Sequence, residues 1–150
     1  MPSVSETMSG DHVRCDDLFA QLEPLAEAGD WGRCLAACEA FVTALLQHFD
    51  AEEGLLFPAF EARTGMHEGP TRVMRSEHAQ MRALLEQLQA AAAQADGAAF
   101  ADAAETLLIL MQQHNLKEEN ILYPMCDQAL DDTPQLGAQL GQRLGGGCHV

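Results

Sequence analysis

Cations are scarce in this chain of 150 residues: eight Lys and Arg stand against 23 Asp and Glu, a formal net charge of −15. That imbalance argues against nucleic acid or an anionic membrane surface as a partner, since both are held by basic patches. No apolar run approaches the roughly 18–20 residues that a bilayer crossing needs. The first residues, MPSVSETMSGDHVRCDD, carry neither the basic nor the apolar stretch of a secretory signal, so a cytoplasmic protein is expected. Alternating runs of Val, Ile and Thr are missing, which excludes a sheet-based fold. Five cysteines are an odd number at irregular spacings and make no disulfide framework. With 47% hydrophobic and 21% charged residues the chain is ordinary globular material, long enough for one domain with a real core.

What is abundant is Ala, Leu, Gln and Glu, and the fold class expected is all-α. Breakers cut the chain into four long segments: about 10–28, ending at Gly29-Asp30; about 31–63, with Pro58 as a kink or early stop; Pro70 to about 94, ending at Asp96-Gly97; and from there to about 130, interrupted at Pro124. Two tight turns and one longer loop predict an up-down-up-down four-helix bundle over about 9–130. An extension over about 131–150 should add a short helix, capped at Thr133-Pro134 and carrying Leu136, Leu140 and Leu144, before a loose GGGCHV tail.

The histidines carry the main signal. His12 and His78 are 66 residues apart, as are His48 and His114, and Glu52 and Glu118 share that offset. HFDAEEGLLFP lies over HNLKEENILYP, and Asp11-His12 over Glu77-His78. A shared offset across all four segments is the mark of a duplicated helical hairpin. The midpoint of His12 and His48 is Asp30, and that of His78 and His114 is Asp96, so each pair is level across its own turn. At ~1.5 Å per residue each pair stands roughly 27 Å from the turn. His-x-x-x-Glu puts both side chains on one face, one turn apart. Four imidazoles and two carboxylates therefore meet in one layer of the bundle.

Burying six ionisable groups together is costly unless a cation compensates. Imidazole suits Fe, Zn, Cu and Ni, and a carboxylate can bridge two ions. Two imidazoles per ion and two bridging carboxylates describe a dinuclear site that iron fits best; a bridging oxo or hydroxo group and open positions complete it. Manganese and zinc remain open alternatives for loading in the cell. The ferritin-like arrangement needs Glu-x-x-His, and no histidine here has Glu three residues before it.

HFDAEE…LFP and HNLKEE…LYP, with the early DH and the central EHAQMRALL, resemble the hemerythrin-like HHE cation-binding domain. The resemblance implies that His12 and His48 hold one iron, His78 and His114 the other, and that Glu52 and Glu118 bridge. Oxygen-carrying hemerythrins have a further His one turn before the position of His78; this chain has Met74 there and Met8 at the repeat-equivalent place. Four His and two Glu are closer to the di-iron domain of iron–sulfur cluster repair proteins, whose cysteine-bearing N-terminal domain has no counterpart in this sequence. The implied function is binding or reaction of dioxygen, nitric oxide or a reduced-oxygen species at an open iron position. The alternative is a sensor or reservoir whose metal occupancy a partner reads, without catalysis.

Several residues keep two readings. Glu53 and Glu119 either hydrogen-bond the ligands from behind or face solvent. Cys15, one turn after His12, is either a thiol beside the metal or a small buried hydrophobe. Cys34, Cys38 and the methionines Met8, Met74, Met81, Met111 and Met125 should pack. Leu55, Leu56, Phe57, Ile121, Leu122 and Tyr123 should line the bundle beyond the carboxylates, with the Tyr123 hydroxyl a donor to an oxygen species at the metal. His67 and His149 read as spectators.

Overall fold

The computed structural model describes residues 2–145, all of whose regular structure is helical. The expected tail, with Cys148 and His149, lies outside the described residues. The chain starts its first helix earlier than the breakers predict. Ser3 caps α1 (Val4–Ala20) in a capping box with Glu6, and Asp127 accepts the Val4 N–H at 2.9 Å. Pro24 explains the break that follows. In a continuous helix its ring would strike the Ala20 carbonyl, so the chain turns at Gln21 and restarts as α2 (Leu22–Glu27).

Both hairpin turns are built alike. Gly29 and Ala95, 66 residues apart, take left-handed φ values of 71° and 55°. In each turn the next N–H, of Asp30 or Asp96, returns to a carbonyl five residues back, Leu25 or Ala91. Asp30 then caps α3 (Trp31–Ala51), and Asp96 caps α6 (Gly97–Lys117). Between the hairpins, α5 (Pro70–Ala93) begins on a proline, where the missing N–H costs nothing.

The two proline interruptions neither stop nor end their segments. A π-helical turn, Glu52–Leu56, follows α3, and α4 (Phe57–Thr64) continues from it. A second, Glu118–Leu122, joins α6 to α7 (Tyr123–Ala129). Phe57 N–H reaches back five residues to Glu52 O, and Tyr123 N–H to Glu118 O. Each wide turn stands just before Pro58 or Pro124, and it relieves the contact with the carbonyl four residues back that a proline makes in a regular helix.

Neighbouring segments pack in ring order, with α1 on α3 and α7, α3 on α5, and α5 on α6, giving the up-down-up-down bundle. Its interior is layered. Cys15, Cys34, Cys38, Phe41, Leu88 and Leu107 belong to an apolar cluster at the turn end. Met8, Phe57, Phe60, Met74, Leu122 and Tyr123 belong to another at the opposite end. The last helix, α8 (Leu136–Arg143), seals that second cluster with Leu136, Leu140 and Leu144. Thr133-Pro134 does not cap it: the Thr133 hydroxyl donates back to Leu130 O, and the helix starts two residues later. A Cβ on Gly137 would stand 2.0 Å from the Pro2 carbonyl oxygen, so only glycine lets α8 cross the N-terminus there. No helix among the described residues is long and apolar enough to cross a membrane.

Candidate metal centre

Between the two apolar clusters lies a polar layer. His12, His48, Glu52, His78, His114 and Glu118 are all at most 3% exposed, on four different segments. Donor atoms of Glu52, His78, His114 and Glu118 lie within 4.8 Å of one another, as do those of His12, His48 and Glu118. Every histidine turns Nε2 inward and Nδ1 outward. His78 Nε2 faces Glu52 Oε1 at 3.0 Å, His12 Nε2 faces Glu118 Oε1 at 3.0 Å, and His114 Nε2 stands 3.3 Å from Glu118 Oε2. The π turns help to make this possible, because they begin at Glu52 and Glu118 and hold both carboxylates fully buried at the centre.

Each Nδ1 is pinned from behind by a carboxylate. Within a hairpin, His48 Nδ1–H donates to Asp11 and His114 Nδ1–H to Glu77, both at 2.8 Å. Between hairpins, His12 Nδ1–H donates to Glu119 and His78 Nδ1–H to Glu53, both at 2.6 Å. These bonds fix the tautomer that leaves Nε2 free to ligate. Of the two readings for Glu53 and Glu119, the hydrogen-bonded one holds. Asp11 and Glu77 play the same part, which spacing had flagged only as a matched pair. A third tier backs them: Arg82 grips Glu53 at 2.9 and 3.0 Å, Arg14 holds Asp11 at 2.6 Å, and Lys117 holds Glu77.

The electrostatics are those of a site short of positive charge. Burial disfavours charge on His48, yet the Glu52 carboxylate and the bond to Asp11 hold its pKa well above the usual value. Burial likewise opposes protonation of His114, but Glu118 above all lifts it from 6.5 to about 9. Glu118 stays well below the ordinary carboxylate range despite complete burial, through hydrogen bonding with Glu52 and the neighbouring imidazoles. Glu53 falls to about 2 because His78 and Arg82 outweigh its burial. Glu52 Oε1, His78 Nε2, His114 Nε2 and Glu118 Oε2 are buried with no hydrogen-bond partner. Orphaned acceptors and imidazole nitrogens aimed at one another are costly in a closed protein and fit a cation between them.

The chain matches the hemerythrin HHE cation-binding domain over residues 3–126. It belongs to that family. Neither the curated proteins nor the solved structures gave a match. As a hemerythrin HHE domain with a buried His and Glu cluster, this is a metal-binding domain.

Other expectations divide. Leu56, Phe57, Leu122 and Tyr123 are buried beyond the carboxylates, but Leu55 is half-buried and Ile121 is 55% exposed. A helix does not turn three consecutive residues fully inward, and Ile121 falls on the outer face. Cys15 sits 2% exposed in the turn-end cluster, where burial pushes its thiol up to about 11, so it is the small-hydrophobe reading that applies. Met8 and Met74 pack in the opposite cluster. His67 lies exposed in the connecting loop. The Tyr123 hydroxyl is inside the layer itself, donating to Glu52 Oε2 at 2.7 Å.

Proposed function

We propose that the domain holds two iron ions, one on His12 and His48 and one on His78 and His114, bridged by Glu52 and Glu118, and that it binds or reacts with dioxygen, nitric oxide or a reduced-oxygen species. The observation that carries this reading is the paired donor set, with four inward Nε2 atoms around two fully buried carboxylates, of which Glu118 belongs to both groups. Imidazole and carboxylate donors in this ratio suit iron, and iron supplies Lewis acidity and reversible electron transfer when bound. The chain's own contribution is orientation and exclusion of water. Asp11, Glu53, Glu77 and Glu119 hold the imidazoles in the ligating tautomer. Phe49 stacks on His78 with centroids 3.9 Å apart, and Phe57 lies 5.7 Å away, so apolar rings cover this side of the layer. Met74 occupies the place of the further histidine of oxygen carriers, which leaves one protein donor fewer and favours reactivity over reversible carriage.

A sensor or reservoir role is the second reading, favoured by the orphaned polar atoms: the layer is incomplete without metal, so occupancy and stability are coupled. The deciding experiment counts iron per chain in the anaerobic ferrous protein and records its spectrum before and after admitting dioxygen or nitric oxide. Two irons per chain, with changes that a chemical oxidant alone does not produce, support the first reading. Bound iron indifferent to both gases, with a large fall in melting temperature on its removal, supports the second. Less than one iron per chain overturns both.

A further inference from the structure

Tyr123 is where the duplicated sequence departs from its own symmetry inside the polar layer. Its repeat counterpart is Phe57, and the chain has no other tyrosine. The phenol oxygen lies 3.2 Å from His12 Nε2, 3.3 Å from His48 Nε2, 2.7 Å from Glu52 Oε2 and 2.9 Å from Glu118 Oε1. A hydroxyl has one proton to give, so it can donate to only one of the two carboxylate oxygens at a time, and the two imidazole nitrogens can bond it only by donating a proton of their own. The spacing has another meaning. Donors bonded to one ion at about 2.0–2.2 Å, at right angles to each other, stand about 3 Å apart. All four distances fall near that value, and two of the four partners are the imidazole nitrogens of a single proposed metal position. Across the repeat the match fails: Phe57 brings no oxygen to His78 and His114, and the unpartnered donor atoms lie on that side.

We infer that Tyr123 is a metal ligand, its phenolate oxygen coordinating the ion held by His12 and His48, and that the dinuclear centre is therefore chemically asymmetric. The inference rests on the metal-binding reading above. On loading, the phenolic O–H bond breaks, an oxygen–metal bond forms, and the proton now donated to Glu52 leaves to solvent; metal binding releases protons in this way generally. The His78 and His114 position is left with fewer protein donors, and so is the position more open to a small ligand.

The test uses the full chain, loaded with ferrous iron under anaerobic conditions, oxidised with ferricyanide, and assayed for iron on the same sample. Expected are a visible phenolate-to-ferric charge-transfer band and tyrosinate ring vibrations in resonance Raman spectra excited within it. With a single tyrosine, ring-deuterated tyrosine assigns those modes to Tyr123 directly. Tyr123→Phe, which copies the Phe57 half, should lose band and modes while still binding iron. Bound iron without tyrosinate modes in the wild-type chain, or a band that survives in Tyr123→Phe, overturns the assignment and leaves the metal centre standing. No bound iron overturns the metal centre itself. Should the variant fail to fold, the labelled wild-type spectrum decides alone.

Discussion

The two halves of the polar layer are built from one duplicated pattern and differ in what surrounds it. Around His78 stand Phe49, Phe57 and a carboxylate, Glu53, gripped on both oxygens by Arg82. Their repeat counterparts in the other half are Asn115, Tyr123, Glu119 and Asp16. An acid thus stands where the other half has its arginine. Glu119 is 39% exposed against 23% for Glu53, and burial together with the Glu119 charge raises the pKa of Asp16. One half is braced and flanked by aromatic rings, while the other is more exposed behind its imidazole, more acidic and supplied with a phenol. Duplication fixes the positions of the six inward residues, and divergence behind them makes the two halves unequal.

The largest effect that would break this comparison is on metal content. Replacing His12 and His48 together by alanine should leave about one iron per chain, and so should replacing His78 and His114. Either pair emptying both positions would mean that the ions are bound only as a unit. Next come the carboxylates behind the ligands, whose loss typically costs 10–100-fold in affinity. Glu53→Gln should reach that range in a chelator competition. Glu119→Gln should cost less, since water replaces an exposed carboxylate more readily; equal losses would contradict the asymmetry.

Alkaline pH separates loaded from metal-free protein. The His114 pKa is raised from 6.5 to about 9 in the fold, so its stabilisation is complete below pH 6.5 and lost as pH rises through about 9. The melting temperature of the metal-free chain should fall over that window. The loaded chain should lack this fall, because a ligating imidazole carries no proton on Nε2. Parallel profiles would remove His114 from the ligand set.

Smaller effects concern the turns and the missing arginine. Gly29→Ala should destabilise by about 1 kcal/mol, the ordinary cost of placing a Cβ in the left-handed region. Ala95→Gly should gain a comparable amount by removing that strain, read in chemical denaturation. Asp16→Arg, which copies Arg82, should add roughly 0.2–1 kcal/mol by pairing with Glu119 at a partly exposed site. No gain there would mean that Glu119 is not short of a cation.

The 66-residue offset, the proline and glycine punctuation and the turn midpoints make the four-segment bundle and the level of the six inward residues legible without coordinates, because helix geometry converts residue number directly into height and face. Membership of the hemerythrin HHE family follows from the same motifs. Other features depend on segments meeting in space. Glu119 reaches His12 across 107 residues and Glu53 reaches His78 across 25, so which carboxylate serves which imidazole is set by how the hairpins dock. The π turns balance Pro58 and Pro124 against the burial of Glu52 and Glu118, a compromise that local propensity does not reveal. The phenol of Tyr123 enters the layer rather than lining its wall because α7 continues from such a turn. Height and face along a helix are local properties that the sequence determines by itself. Partnership across the core is a property of packing, and the tertiary structure alone decided it.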